Sequence, residues 1–213
     1  MSRIALVAGA TGLVGGRLLR QLLTHDDYQE VRVLGRRPPP LDAGKIRFIA
    51  SDFTKLEDLD VELAVDDVFC CLGTTIKQAG SQAAFERVDY HMVVDLARAA
   101  QKAGARRFLV VSAAGASLRS PVFYSRVKAR MEETVCALPF TAVHVVRPSL
   151  LLGQRKALRP GERVGQLLAP LLAPFMIGPL RKYQPIQADA VAAALLQLAL
   201  KGEPGPHVHA LPL

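Results

Sequence analysis

Apolar and polar positions along this chain fall into alternating blocks of two periods. Short apolar runs recur at positions 4–8, 30–34, 46–50, 67–71, 108–112 and 141–146 and read as strands. Between them, residues 15–24, 83–103 and 124–138 carry the spacing of helices. The clearest is the helix through Phe85 and Ala103, with Val88, Met92, Leu96 and Ala99 or Ala100 on one side. Gly104 stops it, and Pro139 stops the helix that starts at Tyr124. Strand and helix in alternation predict an α/β protein: a three-layer doubly wound parallel sheet, the Rossmann fold.

The pattern changes after Arg147-Pro148. Gly, Pro and Arg crowd residues 153–165, and the apolar run 164–180 is broken by Pro170, Pro174 and Pro179. That run is too short and too interrupted for a membrane span, which needs about 20 apolar residues. Residues 153–188 are therefore expected to form a small C-terminal lobe, a substrate-side lid, pocket wall or dimer contact. A last helix over 189–200 and a short strand over 209–211 close the chain. The length of 213 residues suits a single domain, 1–213.

The first strand runs directly into Gly9-Ala-Thr11-Gly12-Leu13-Val14-Gly15, and a helix follows at once. Glycines three apart between a strand and a helix bring a backbone close enough to set a pyrophosphate on the helix N-terminus. Gly9 permits the turn, Gly12 admits the ligand, and Gly15 lets helix pack on strand. The second strand ends in Arg36-Arg37, where a carboxylate would grip the ribose 2′-hydroxyl of NAD. Two guanidinium groups match a 2′-phosphate instead, so NADP(H) is favoured over NAD(H). Asp52-Phe53, after the third strand, sits where an adenine edge would lie; the aspartate reads equally well as a plain turn residue. By topology Cys71-Leu72-Gly73, ending the fourth strand, lies beside the first turn at the mouth of the ligand crevice.

Charge and cysteine content narrow the remaining choices. The net charge of +8 is scattered, with no basic run longer than the pairs Arg36-Arg37 and Arg106-Arg107. No aromatic residues interleave with it, which argues against a nucleic-acid surface. Three cysteines, Cys70, Cys71 and Cys136, suit a reducing compartment, read here as the cytoplasm, and no secretory signal precedes the first strand. His207 and His209 share a strand face, but two ligands do not make a metal site.

Tyr124-Ser-Arg-Val-Lys128 puts a phenol and an ammonium four residues apart on one helix face. The lysine charge favours phenolate and brings tyrosine toward proton transfer at neutral pH. Taken in order, the glycine turn, Cys71-Leu72-Gly73, Tyr124-x-x-x-Lys128 and Arg147-Pro148-Ser149 resemble the short-chain dehydrogenase/reductase superfamily over nearly the whole chain. The Gly-Ala-Thr-Gly-Leu-Val-Gly turn points to its extended and atypical branches, which include sugar-nucleotide epimerases and NmrA-like regulators. The chain is most similar to the Tat-interacting-protein-like oxidoreductases, through Cys70-Cys-Leu-Gly-Thr-Thr75, Val88-Asp89 and Arg159-Pro-Gly-Glu162.

The resemblance implies an NADP(H)-binding oxidoreductase that moves hydride to a small carbonyl substrate. In it Tyr124 is the proton donor, Lys128 its modulator and ribose anchor, and Arg147, Pro148, Ser149 and Leu150 line the nicotinamide pocket. The superfamily places its carbonyl-polarising hydroxyl where this chain has Ala113. Ser112 is the expected substitute, with Ser117 or Thr75 as alternatives. Asp89 stands where extended members often carry asparagine. The short C-terminal lobe and Ala113 also fit a second reading, a dinucleotide-sensing regulator acting through a protein partner. A homodimer is the default assembly.

Overall fold

The computed structural model describes residues 2–41, 43–149, 151–152 and 185–211. Most of the expected lid segment, including the apolar run 164–180, lies outside the described residues, as does Leu150. The strands are β1 (Arg3–Ala8), β2 (Tyr28–Gly35), β3 (Ile46–Ala50), β4 (Asp67–Cys70), β5 (Arg107–Val111), β6 (Ala142–Pro148), β7 (Leu151–Leu152), β8 (Ile186–Gln187) and β9 (Gly205–Leu211). The helices are α1 (Leu13–Thr24), α2 (Asp60–Leu63), α3 (Ile76–Ala79), α4 (Gln82–Glu86), α5 (Met92–Lys102), α6 (Phe123–Cys136) and α7 (Ala188–Lys201).

Seven strands form one parallel sheet in the order β3-β2-β1-β4-β5-β6-β9, and β7 pairs separately with β8. The sheet is covered on both faces, because successive strand residues point to opposite sides. Ala5 and Val7 pack under α1 and α7 with Leu18, Leu19, Leu22, Val191 and Leu195. Leu6 and Ala8 pack on the other side with Leu96, Ala97, Met131 and Val135 of α5 and α6. The strand order reverses at β1, flanked by β2 and β4, so a crevice opens beyond the carboxyl ends of β1 and β4. The opposite end of the sheet is locked by Asp67, fully buried, which accepts from the Tyr28 hydroxyl at 2.8 Å and pairs with Arg107 at 2.7 Å.

Three elements depart from the sequence pattern. The first helix begins at Leu13, two residues before its expected start. The helix expected over 83–103 is broken by a wide turn, Arg87–His91, where the Met92 amide bonds to Arg87 O. The last strand starts at Gly205 rather than 209 and pairs with β6 from Gly205 to Leu211. As an edge strand it leaves Pro206, Val208 and Ala210 exposed, which blurs its apolar signal.

Candidate functional site

The glycine turn is held from inside the chain. Gly9 adopts φ +85°, and a side-chain carbon there would lie 2.5 Å from the carbonyl oxygen of Cys71. A carbon on Gly15 would collide with the Gly9 carbonyl, so α1 can press onto the turn only because that position is bare. Gly12 donates its amide to Gly9 O at 2.9 Å and caps α1 in an extended conformation. No side chain caps α1 and its first turn holds no acidic residue, so the amides of that turn and the positive end of the dipole are open to an anion.

This turn borders a cleft of about 710 Å³. Thr11, Gly12, Leu13 and Val14 line one side of it, and Cys71, Leu72 and Gly73 the next. At the far side stand Ser112, Tyr124 and Lys128, so sequence-distant candidates converge on a single space. Arg37 reaches the cleft, but Arg36, equally exposed, does not line it. The α1 face also contributes Arg17 and Arg20, which the sequence reading passed over. Their signal was the helical spacing Leu13, Arg17, Arg20 on the face above the turn. Arg17 is taken by Asp189 at 2.6 Å, whereas Arg20 is exposed.

Tyr124 and Lys128, expected as a proton-transfer pair, sit one turn apart on α6. Lys128 is 4% exposed, and its ammonium meets Asp89 Oδ1 at 2.8 Å. Burial pushes the Lys128 pKa down, but the Asp89 carboxylate and then Tyr124 push it up and win, leaving it above its ordinary value. Asp89 accepts the Thr74 amide at 2.8 Å on its other oxygen. The Tyr124 ring packs 5.2 Å from that of Phe85. Of the three hydroxyls expected as a carbonyl polariser, Ser112 lines the cleft, and its buried Oγ has no hydrogen-bond partner among the described residues. Thr75 borders the cleft too, but its hydroxyl caps α3 by accepting the Gln78 amide. Ser117 is exposed, and its hydroxyl accepts the Arg119 amide.

Other candidates are held elsewhere. Arg147, expected in the nicotinamide pocket, forms a bidentate ion pair with Glu132 of α6, Nε lying 2.9 Å from Oε1. Because a buried carboxylate demands a partner, this pairing takes the guanidinium away from the cleft. Pro148 accepts the Ala114 amide at 2.9 Å, which extends the β5–β6 ladder, and Ser149 follows it, half-buried. The Asp52 carboxylate turns back on Thr54, accepting its hydroxyl at 2.6 Å and its amide at 3.0 Å. Those bonds hold Asp52 below the usual carboxylate range, the hydroxyl contributing most. Phe53 takes φ +67° and gives its amide to Ser51 Oγ, so both residues of the adenine expectation are engaged in their own turn. Burial pushes the Cys70 thiol up to about 12 and raises Cys71 as well, which suits small apolar packing beside the cleft.

His144 of β6 joins His207 and His209 on one face, its Nδ1 lying 3.2 Å from His209 Nε2. Among the described residues no three His, Cys, Asp or Glu side chains are placed to hold a metal ion. No helix of the described residues is long and apolar enough to cross a membrane.

Comparison with known proteins agrees with this geometry. A family described as NAD(P)H-binding matches residues 9–151. The mitochondrial protein fmp52 of Aspergillus clavatus is 32% identical over 212 residues, covering 96% of this chain and 90% of that protein. Mitochondrial FMP52 of Meyerozyma guilliermondii is 36% identical over 155 residues, covering 72% of this chain and 67% of its own length. Among solved structures, MoeE5 in complex with UDP-glucose and NAD superimposes with a TM-score of 0.72 at 20% identity, over 96% of this chain and 74% of that one. The UDP-N-acetylglucosamine 4-epimerase of Methanobrevibacter ruminantium reaches 0.74 at 14% identity, over 100% and 77%.

The relatives overturn one expectation. They are mitochondrial proteins, not cytoplasmic ones. Free thiols report only that no disulfide forms and do not tell one reducing compartment from another. With sheet order, glycine turn and matched sequence in accord, the chain belongs to the NAD(P)H-binding family and carries its dinucleotide turn on a Rossmann fold.

Proposed function

We propose that the protein is an NADP(H)-dependent oxidoreductase that reduces a small carbonyl compound. The observation that carries this reading is Ser112, which lines the same cleft as Tyr124, Lys128 and the glycine turn and whose buried Oγ has no hydrogen-bond partner among the described residues. A buried polar group left unsatisfied is costly, and a substrate oxygen would satisfy it. The residues fit a dinucleotide: Gly12, on the cleft, carries no side chain to block the approach, and the first-turn amides of α1 would face its diphosphate. Arg37 and Arg20, both exposed beside the cleft, favour the 2′-phosphorylated form.

When bound, the reduced nicotinamide supplies hydride to the carbonyl carbon. The chain does the rest. Ser112 donates a hydrogen bond to the carbonyl oxygen, and Tyr124 transfers its phenolic proton to that oxygen. Lys128 stands beside Tyr124 as a fixed charge, and water returns the proton to the phenolate. The rival reading, a regulator that binds nucleotide without turnover, rests on Ala113 and the short C-terminal lobe; Ser112 lining the cleft answers the first of these.

Two measurements test the reading. NADPH should bind with measurable heat in calorimetry, and a panel of aldehydes, ketones and quinones should contain compounds that consume its absorbance. Tyr124→Phe should cut that turnover by about 10²–10⁴-fold while NADPH still binds. Tight binding with no turnover across the panel supports the regulator, and unchanged turnover in Tyr124→Phe removes the assigned donor.

A further inference from the structure

We infer that Asp89 is a positioning residue whose buried neutral pair with Lys128 keeps Tyr124 in its protonated form, the form that carbonyl reduction draws on. This rests on the reading of Tyr124 as proton donor given above.

The geometry is unusual for a helix interior. Asp89 is 1% exposed and lies in the wide turn Arg87–His91, which interrupts the run from α4 to α5. Such turns re-aim a side chain off the regular helix face and recur at functional sites. Here the carboxylate is held from two directions, by the Thr74 amide at 2.8 Å and the Lys128 ammonium at 2.8 Å. Gly73 borders the pair: a side-chain carbon there would stand in ordinary contact, 3.4 Å from Asp89 Oδ1 and 3.9 Å from Lys128 Nζ. Among the described residues the titratable groups facing Lys128 are Asp89 from the turn, Tyr124 from its own helix and the Cys70 thiol from β4.

An unpaired buried ammonium next to a phenol pulls strongly toward phenolate. With a carboxylate at salt-bridge distance on its other side, the lysine presents a dipole, and the field at the phenol is largely cancelled. A tyrosine in that field stays in the phenol form, which can still protonate the much more basic developing alkoxide. Asparagine at position 89 could accept the Thr74 amide but could not neutralise the lysine.

The test is a difference titration of phenolate absorbance on the full chain without nucleotide. Each variant is paired with its Tyr124→Phe counterpart, so that Tyr28, Tyr90 and Tyr183 cancel. Asp89→Asn should lower the Tyr124 midpoint by about one to two pH units, as an uncompensated neighbouring charge does. A midpoint equal to the native one overturns the inference, since a merely structural Asp89 would be replaced by the amide without effect.

If Asp89→Asn does not fold, Asp89→Asn/Lys128→Met, which leaves no buried charge, decides instead. Its midpoint should lie within about half a pH unit of native. A rise of one unit or more would mean that Lys128 acts on Tyr124 despite Asp89, and the inference fails. NADPH calorimetry on the same preparations separates the two claims. Lost binding in the native chain defeats the proposed function, whereas an unmoved titration with binding intact defeats only the role of Asp89.

Discussion

Alanine substitutions at Gly9 and Gly12 should separate folding from nucleotide binding. At Gly9 the backbone lies at φ +85°, where an L residue costs about 1–2 kcal/mol. The added methyl would meet Cys71 O at 2.5 Å, Cys71 C at 2.7 Å and Leu72 N at 3.0 Å. All three atoms are backbone, and the Cys71 amide ties that segment to Ala8 O at 2.8 Å, so it cannot swing aside. Forcing a methyl into such a site costs about 1–3 kcal/mol more. The sum is about 2–5 kcal/mol of lost stability.

Gly12 differs, with φ −82° and ψ 176°, a conformation open to any residue. Its methyl would meet only Gly9 O, at 3.1 Å, which a small shift relieves. Gly12→Ala should therefore cost less than about 1 kcal/mol, yet its methyl would occupy the approach to the α1 amides. NADPH affinity should fall at least about tenfold, equivalent to about 1.4 kcal/mol. Urea unfolding followed by calorimetry reads both quantities. Gly9→Ala with native stability, or Gly12→Ala with native NADPH affinity, would refute the reasoning.

The remaining predictions concern cofactor choice and acid stability. Arg37→Ala should weaken NADP binding by about tenfold or more and leave NAD nearly untouched, whereas Arg36→Ala should do little to either; equal losses for both coenzymes would dismiss 2′-phosphate recognition. His144 is buried, and burial, followed by its His209 and His207 neighbours, pushes its pKa down to about 4. Folding thus favours its neutral form. The stability this confers is complete above pH ~6.5 and drains away as pH falls through about 4, a loss of about 2–3 kcal/mol. Thermal melts between those values should show a steeper decline for the native chain than for His144→Phe; parallel curves would mean that other groups set the slope.

Much of the fold was legible because its signals are local. Six apolar runs separated by helical spacing demand a parallel sheet, since only crossover helices connect such strands. The glycines at 9, 12 and 15 declare a tight turn against a helix, and the structure shows the backbone contacts that forbid a side chain at Gly9 and Gly15. Less legible were the wide turn at Arg87–His91 and the full length of β9. The helical spacing runs on through the first, and edge exposure dilutes the apolar signal of the second.

Position in the chain also determined that a phenol and an ammonium share a helix face. What it could not determine is which charges meet. Asp89 next to Lys128 and Glu132 holding Arg147 are partnerships between separate elements. Ser112 was a candidate from its place at the end of β5, but that its hydroxyl is buried without a hydrogen-bond partner among the described residues appears only in the fold. Secondary structure follows periods that neighbouring residues set together, whereas pairing of charges and hydroxyls depends on distances that exist only once the sheet has brought remote segments within a few ångströms.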